Sequence, residues 1–318
     1  MKYATQREAY GQVLAELGRE NSAICALDAD LGNSTRGRVF AKAHPERYFE
    51  MGIAEQNMMS VAAGLALAGK IPFVSSFAVF VAGRAYDQFR QTIAIAGLNV
   101  KVCGSSAGLS DYGDGSTHQS VEDLALMRAI PGVTVLSPAD AAECAAMLRY
   151  MAGAQGPMYI RVNRNPLPEL YDEAGLHLQA IPSRMDVLRE GGDVALLATG
   201  VMVSRALEAA KRLEARGISA KVVNVSVIKP LNVAALTQIA ASVKAVVTAE
   251  EHSVVGGLGS AVAEALCGTG RPMAMVGIQD RFGTSARGYE ELLAHYGLTP
   301  EAVEAAAAGI LARLEEGR

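Results

Sequence analysis

The stretch Gly52-Ile53-Ala54-Glu55-Gln56-Asn57 places a carboxylate at a strand-to-helix turn, and it decides the fold of this chain. The preceding run Arg47-Tyr48-Phe49-Glu50-Met51 is short and aromatic, which is typical of a strand. Residues 58–69 are rich in Met, Ala and Leu and predict a buried helix. Binding sites in parallel α/β sheets form just beyond the carboxyl ends of strands, where Glu55 lies. Glu55 is therefore either a helix-start carboxylate that satisfies free N–H groups or a functional acid.

Short β-branched runs alternate with Ala-rich runs along the chain, a pattern typical of βαβ units. In the first half they predict strands at 23–27, 48–53, 71–76, 99–103, 133–136 and 158–162, and helices at 6–19, 55–69, 79–96, 120–129 and 139–152. In the second half they predict strands at 194–198, 220–225, 245–248 and 273–278, and helices at 202–215, 233–241, 257–266 and 300–314. The predicted fold class is α/β, with two mostly parallel sheets flanked by helices.

The alternation breaks in a polar stretch that contains Pro166, Pro168 and Pro182. Proline-rich polar segments commonly separate domains, because few contacts cross them. We therefore expect a first domain at residues 1–165, a linker at 166–186 and a second domain at 187–318.

Composition excludes several classes of function. The chain has 318 residues, half of them hydrophobic, and can bury two ordinary cores. A net charge of -4 with both signs mixed argues against a nucleic-acid partner. No apolar run is long enough to cross a bilayer, and residues 1–5 lack the features of a secretory signal. The four cysteines lack CxxC spacing and no histidine pair has metal-ligand spacing, so we expect a soluble cytoplasmic protein.

Chemistry-bearing residues follow several predicted strands of the first domain. They are Asp28, Asp30 and Ser34 after the first strand, Phe77 and Phe80 after the third, the loop Gly113-Asp114-Gly115-Ser116-Thr117-His118-Gln119, and Arg161 and Arg164 after the last. Taken singly, the aspartates could serve loop solvation, the phenylalanines core packing, and the loop a plain turn. Because parallel strands end at one edge of a sheet, all of them are expected to collect around Glu55. Their joint occurrence favours a functional site.

Six motifs of the chain resemble transketolases. Met51-Gly-Ile-Ala-Glu-Gln-Asn, Ser75-Ser-Phe-Ala-Val-Phe, Asp114-Gly-Ser-Thr-His-Gln and Val162-Asn-Arg-Asn-Pro resemble the pyrimidine-binding domain of that family. Glu250-Glu-His-Ser-Val-Val-Gly-Gly-Leu-Gly-Ser and Phe282-Gly-Thr-Ser resemble its C-terminal domain. The resemblance covers essentially the whole chain in order. It implies the thiamine diphosphate-binding fold followed by a transketolase C-terminal domain, and transfer of a two-carbon ketol unit between phosphorylated sugars.

The resemblance also implies which residues would bind the cofactor, thiamine diphosphate. Glu55 would hydrogen-bond the pyrimidine ring nitrogen and favour the imino tautomer, whose nitrogen takes the weakly acidic thiazolium proton. Phe77 and Phe80 would stack on and enclose the pyrimidine. Asp30 would lie near the thiazolium.

Five further residues would hold the substrate. Asp114 and His118 would hydrogen-bond sugar hydroxyls and the reacting carbonyl, and His118 could also move protons at neutral pH. Ser34, Arg164 and Arg7 would hold a substrate phosphate, a task that suits the planar arginine fork.

The chain departs from the family pattern in two places, and the place of one arginine is open. Gly83 stands where an aromatic residue often follows the second phenylalanine, so the pyrimidine pocket is less enclosed or is completed differently. Ser105-Ser106 stands where many transketolases have a second substrate histidine, which weakens the expectation of ordinary pentose phosphates. Gln6 beside Arg7 could take the aligned place of that arginine.

The metal site of the family is missing from this sequence. Thiamine enzymes hold the diphosphate through Mg²⁺, bound by a Gly-Asp-Gly turn and a downstream asparagine. The Gly113-Asp114-Gly115 turn has no such asparagine and leads into the sugar-facing loop. The chain thus resembles the C-terminal half of a split transketolase, active only with a separate subunit that carries Mg²⁺ and diphosphate. A heterotetramer of two such pairs is the expected assembly.

The run Val255-Gly256-Gly257-Leu258-Gly259-Ser260 invites a dinucleotide-binding interpretation, but a partial GxGxxG is weak, and we expect close helix–strand packing there instead. Two other functions stay open. One is the β subunit of a 2-oxo-acid dehydrogenase, against which His118 and Arg164 argue. The other is a non-catalytic scaffold or regulatory subunit, against which Glu55 argues. A one-chain deoxyxylulose-phosphate synthase is disfavoured, since that enzyme carries its own diphosphate domain.

Overall fold

The computed structural model describes residues 2–172, 176 and 178–316. Its strands are β1 (Tyr3–Thr5), β2 (Ile24–Asp28), β3 (Tyr48–Glu50), β4 (Ile71–Phe77), β5 (Lys101–Ser105), β6 (Thr134–Leu136), β7 (Met158–Arg161), β8 (Pro166–Pro168), β9 (Asp186–Arg189), β10 (Val194–Ala198), β11 (Ala220–Asn224), β12 (Val227–Lys229), β13 (Ala245–Ser253) and β14 (Met273–Ile278). Its helices are α1 (Gln6–Glu20), α2 (Gly32–Thr35), α3 (Gly37–Ala43), α4 (Glu55–Leu67), α5 (Tyr86–Gln88), α6 (Asp123–Ala129), α7 (Ala141–Gly153), α8 (Met202–Glu214), α9 (Val233–Ala241), α10 (Leu258–Leu266), α11 (Tyr289–His295) and α12 (Pro300–Glu316).

Two large sheets organise the described residues. A seven-stranded sheet has the order β12-β6-β7-β5-β4-β2-β3, and a five-stranded sheet has the order β14-β13-β10-β11-β9. All neighbours in the seven-stranded sheet are parallel except β12, and all in the five-stranded sheet are parallel except β9. Strands such as β10 are buried along their whole length, as both faces of a parallel sheet must be. The predicted α/β class with two mostly parallel sheets is confirmed.

The helix that follows the Glu55 turn shows why the sequence folds as it does. α4 begins at Glu55 and buries Met58, Met59, Ala62 and Ala63 at helical spacing against the seven-stranded sheet. It ends at Leu67, two residues before Gly69, whose φ of +80° terminates helices readily. The predicted helix at 55–69 therefore exists, and the strand before it places Glu55 at the carboxyl edge of the sheet.

Several short elements differ from the predictions. The predicted strand at 220–225 ends at Asn224, and after a break the chain forms β12, which pairs antiparallel with β6 of the first sheet. β12 thereby covers an edge that would otherwise expose unpaired backbone groups. A two-stranded sheet of β1 and β8 also escaped the sequence analysis. Such strands are too short to show a period of their own, and their pairing decides them.

The predicted linker contains regular structure. It includes β8, a 3-10 helix at Leu178–Ser183 and the first residue of β9, whereas residues 173–175 and 177 lie outside the described residues. One apolar cluster also contains residues of both halves, Leu27 and Val74 with Leu197 and Val223 among them. The predicted domain bounds 1–165 and 187–318 stay a prediction.

The predicted helix at 79–96 is not a regular α-helix. It consists of π-helical segments at Val79–Arg84 and Phe89–Ala94 with the short α5 between them. π-helical turns are rare and often occur at functional sites. No helix among the described residues combines the length and the apolar composition that a membrane crossing requires.

Candidate active site

Glu55 is buried at the start of α4, with 1 % of its surface exposed. Its Oε2 accepts a hydrogen bond from Nη1 of Arg84 at 2.8 Å, and the Arg84 side chain is itself 45 % exposed. The carboxylate thus meets a charged partner rather than capping its own helix. A buried carboxylate whose hydrogen-bond partner is a half-exposed cation can exchange that partner for a ligand.

Three aromatic rings lie beside this ion pair. Phe77 and Phe80 are stacked, with centroids 6.0 Å apart and 15° between ring planes. His118 meets both rings edge-on, at 6.1 Å from Phe77 and 5.6 Å from Phe80. The Arg84 guanidinium lies 4.4 Å from the Phe80 centroid, which joins the rings to the Glu55 pair. The structure therefore brings four of the predicted residues together: Glu55, Phe77, Phe80 and His118.

A cluster of arginines lies on the other side of Phe77. The Arg164 guanidinium lies 5.9 Å from the Phe77 centroid and donates to Oδ2 of Asp111. Arg7 donates from Nη1 to the carbonyl of Ser34 at 3.5 Å. Burial lowers the pKa of Arg7, and so do the positive charges of Arg164 and, to a smaller degree, Arg36.

These arginines carry positive charge that the neighbouring carboxylates do not fully neutralise. Arg36 is paired with Glu8 at 2.6 Å, whereas Nε of Arg7 is buried with no hydrogen-bond partner among the described residues. Guanidiniums clustered in this way bind an anion favourably, because the anion offsets their mutual repulsion. Sequence reasoning found Arg7, Arg164 and Ser34 but missed Arg36 and Asp111.

The remaining predicted residues, Asp30 and Asp114, have exposed side chains. Asp30 has φ +60°, and its backbone N–H donates to Oε1 of Glu50 at 2.8 Å. Asp114 precedes a 3-10 turn at Gly115–Thr117 that leads to His118. Neither carboxylate has a hydrogen bond to Glu55 among the described residues.

Asp28 is buried, so loop solvation does not explain it. Its carboxylate accepts from the backbone N–H of Leu31 and from Oγ1 of Thr35, each at 2.7 Å. Burial raises the pKa of Asp28 to about 7, although both hydrogen bonds oppose that rise. Asp28 therefore shapes the loop that carries Asp30 and Ser34.

The glycine-rich run at 255–260 is filled by the chain itself. Oε2 and Oε1 of Glu250 accept from the N–H groups of Leu258 and Gly259, each at 2.7 Å. A Cβ on Gly257 would lie 2.1 Å from Oε2 of Glu250. The glycine permits a carboxylate of the neighbouring strand to cap α10, which agrees with the predicted packing role. Among the described residues there is also no group of three or more His, Cys, Asp or Glu side chains that could hold a metal ion.

Family profiles and individual proteins match most of this chain. The profile described as "Transketolase, pyrimidine binding domain" matches residues 2–169, and that described as "Transketolase, C-terminal domain" matches residues 183–303. The chain is 41% identical over 306 residues to a Methanocaldococcus jannaschii protein provisionally named transketolase C-terminal section, covering 95% of this chain and 94% of that protein. It is 44% identical over 280 residues to the 6-deoxy-6-sulfo-D-fructose transketolase subunit SqwH of Clostridium sp. strain MSTE9, covering 87% of this chain and 85% of that subunit.

A solved structure is similar over nearly its full length. It is described as "Split gene transketolase, inactive beta4 tetramer", and it superimposes with a TM-score of 0.88 at 48% identity. The match covers 98% of this chain and 99% of that one.

Proposed function

This chain belongs to the transketolase family, and on that premise we propose that it is the subunit of a split transketolase that binds the pyrimidine of thiamine diphosphate. The observation that carries the proposal is the cluster of buried Glu55, stacked Phe77 and Phe80, and His118. Phe77 and Phe80 would hold a planar heteroaromatic ring, and the Glu55 carboxyl group would hydrogen-bond its ring nitrogen. When bound, thiamine diphosphate would supply the acidic thiazolium C–H on which ketol transfer depends.

Glu55 has the principal role in this proposal. Its burial makes a hydrogen bond to a ring nitrogen strong, because water does not compete for the carboxyl group. Arg84 occupies Oε2 of Glu55, so a ring nitrogen would bond Oε1 or displace the arginine. Phe77 and Phe80 orient the ring and exclude water, and His118 presents a nitrogen to the sugar. Asp30 near the thiazolium and Asp114 at the sugar remain proposals from the resemblance.

The substrate we propose is a sugar that carries a terminal anion, and a sugar phosphate fits. Arg7 and Arg164 face a shared region beside Ser34, and buried Nε of Arg7 is free to donate to an anionic oxygen. The related SqwH is named as a subunit for a sulfonated sugar, whose terminal group is also an anion. The proposal thus restricts the donor and acceptor sugars to those with a negatively charged terminal group.

We also propose that a separate subunit supplies the diphosphate and Mg²⁺ site, in a heterotetramer of two pairs. The sequence lacks the asparagine that follows the metal-binding turn in the family. A similar solved chain is described as an inactive tetramer of β subunits, which supports the need for a second kind of subunit. The half-exposed Arg84 beside Glu55 supports a site at an open face of this chain.

The test is reconstitution with a candidate partner that carries a Gly-Asp-Gly turn and a downstream asparagine. The purified complex is assayed on ketose phosphates and, separately, on pyruvate with an electron acceptor. We expect ketol transfer from the ketose phosphate, and loss of at least ~100-fold in kcat in Glu55→Gln with an unchanged fold. Turnover of pyruvate alone would instead support the 2-oxo-acid dehydrogenase subunit. Undiminished activity in Glu55→Ala would support a non-catalytic role.

A further inference from the structure

Two loops from opposite halves of the chain are fastened together beside the candidate site. The His118 loop is defined as residues 109–119, and the C-terminal loop as residues 281–287, which contains the Phe282-Gly-Thr-Ser motif. The backbone N–H of Ala286 donates to the carbonyl of Tyr112 at 2.8 Å. The side chain of Gln119 donates from Nε2 to the carbonyl of Thr284 at 3.0 Å. The proposed function assigns no role to the C-terminal loop.

The two loops approach so closely that a side chain at either of two glycines would press on the other loop. A Cβ on Gly283 would lie 1.7 Å from Oε1 of Gln119, and a Cβ on Gly115 would lie 2.5 Å from Oγ of Ser285. Gly115 has φ +78°, which also favours glycine, whereas Gly283 has no positive φ. The motif glycine at 283 is therefore explained by contact with Gln119 and not by backbone conformation.

Gln119 connects this contact to the residues of the site. It is 3 % exposed, and Nε2 also donates to the carbonyl of Asp111 at 3.0 Å. The carboxylate of Asp111 holds Arg164, and His118 is the chain neighbour of Gln119. One amide thus links the C-terminal loop to the proposed sugar-binding histidine and to a proposed anion-binding arginine.

A second tie fixes the start of the His118 loop. Glu251 of β13 accepts from the backbone N–H of Leu109 at 2.8 Å. A Cβ on Gly108 would lie 2.5 Å from the carboxyl carbon of Glu251. Between these ties the loop contains a single 3-10 turn, Gly115–Thr117, and its Asp114, Ser116 and Thr117 are exposed. A loop with so little internal structure depends on its neighbours for a fixed conformation.

We infer that Gln119 is a positioning residue and that the C-terminal loop acts through it to fix His118 and Arg164 for the substrate. The inference rests on the proposed function for the roles of those two residues. It gives the second half of the chain a direct part in the geometry of the site. Small displacements of groups that bind a reacting substrate slow the reaction. Loosening the contact between Gln119 and the C-terminal loop should therefore lower turnover strongly.

Two glycines of the same region provide a matched test. Gly283→Ala places a methyl group against Gln119, whereas Gly288→Ala has nothing within 4 Å of its Cβ and an extended φ of -157°. The first measurement is hydrogen exchange, by mass spectrometry, of peptides covering residues 109–119 in the full chain without partner. We expect exchange at least several-fold faster in Gly283→Ala, and unchanged in Gly288→Ala. Gln119→Ala removes the same bonds without adding atoms, and should reproduce the effect if Gly283→Ala fails to fold.

The second measurement is steady-state kinetics of the reconstituted complex. We expect Gly283→Ala and Gln119→Ala to raise KM for the phosphorylated ketose and to lower kcat by at least ~10-fold, with Gly288→Ala like the wild type. The effects of Gly283→Ala and Gln119→Ala should be non-additive in the double variant, because both act on one contact. Equal exchange and equal kinetics in both glycine variants would overturn the inference that the C-terminal loop fixes the His118 loop through Gln119. If the wild-type complex turns over no ketose phosphate, the proposed function fails. The exchange data still decide whether the C-terminal loop fixes the conformation of the His118 loop.

Discussion

Oε2 of Glu55 accepts a hydrogen bond from Nη1 of Arg84 at 2.8 Å, and the same guanidinium lies 4.4 Å from the centroid of Phe80. One cation therefore covers both surfaces that a bound aminopyrimidine would use, the carboxyl group and the aromatic face. An aminopyrimidine bound as proposed would have to share these groups with Arg84 or displace it.

We predict that Arg84→Met strengthens cofactor binding. The variant removes a partly exposed charge pair, for which ~1 kcal/mol or roughly fivefold in affinity is a reasonable scale. The measurement is the Kd of thiamine diphosphate for the reconstituted complex, by calorimetry. Arg90→Met, an exposed position farther along the same helical region, is the control and should bind as the wild type. Weaker binding in Arg84→Met would show that the arginine helps to hold the cofactor.

A second prediction concerns the arginine that Asp111 holds. Arg164→Lys should raise KM for a phosphorylated ketose roughly tenfold, because lysine cannot make the paired contacts of a guanidinium. The KM of the same ketose without its phosphate should stay unchanged. Arg212→Lys, on the remote helix α8 and paired with Glu301, is the control. If both substrates lose affinity equally in Arg164→Lys, the arginine supports the fold of the site and does not read the anion.

Much of the fold could be predicted because its long elements are strongly periodic. Strands at Val194–Ala198 and Met273–Ile278 and the helix at Val233–Ala241 have the predicted bounds. The strands β9 and β12 could not be predicted in the same way. Each has only three or four residues and pairs antiparallel with a strand that the local sequence does not identify. Tertiary pairing decides such segments.

The site was predictable where parallel topology gathers strand ends, and unpredictable where contacts cross between elements. Glu55 follows β3, Phe77 and Phe80 lie at and just after the end of β4, and His118 follows β5. These residues meet at one edge of the sheet, as the alternating pattern predicts. Arg84 gave no signal, because a charged residue in a helix usually faces solvent. Gln119 belonged to a recognised motif, but its contact with Thr284, 165 residues away, exists only in the fold.

A third prediction concerns pH and the buried Asp28. Burial raises its pKa to about 7, whereas an aspartate in an unfolded chain has a pKa of about 4. Between these values the folded state binds more protons than the unfolded state, so the free energy of unfolding falls as pH rises. A shift of this size corresponds to ~4 kcal/mol between about pH 4 and pH 7.

Asp28→Asn should lack this dependence, since an amide does not titrate. The measurement is urea unfolding of wild type and Asp28→Asn between pH 4.5 and 8. We expect the variant to become progressively more stable relative to the wild type as pH rises through this window. The amide oxygen can still accept from Leu31, which preserves one of the two hydrogen bonds. Parallel stability curves would show that Asp28 stays ionised in the fold across this range.

The last prediction concerns the buried ion pair of Asp123 and Arg161, which lies beside the end of the His118 loop. Asp123 is fully buried at the start of α6 and accepts from Nε and Nη2 of Arg161 at 3.0 Å and from the hydroxyl of Tyr159 at 2.8 Å. Arg161 also donates to the carbonyl of Ser120 at 3.3 Å, directly after the His118 loop. The pKa of Arg161 is raised, because Asp123 and Glu251 outweigh its desolvation.

Asp123→Asn removes the nearest negative charge while the guanidinium stays buried. We expect a loss of about 3–5 kcal/mol in the free energy of unfolding, the scale for breaking one partner of a buried pair. Glu264→Gln breaks the ion pair between Arg128 and the exposed Glu264. It should lower the free energy of unfolding by less than about 1 kcal/mol. Both values come from urea unfolding at one pH, compared at equal m. Similar costs for the two variants would mean that Glu251 of β13 neutralises Arg161 by itself.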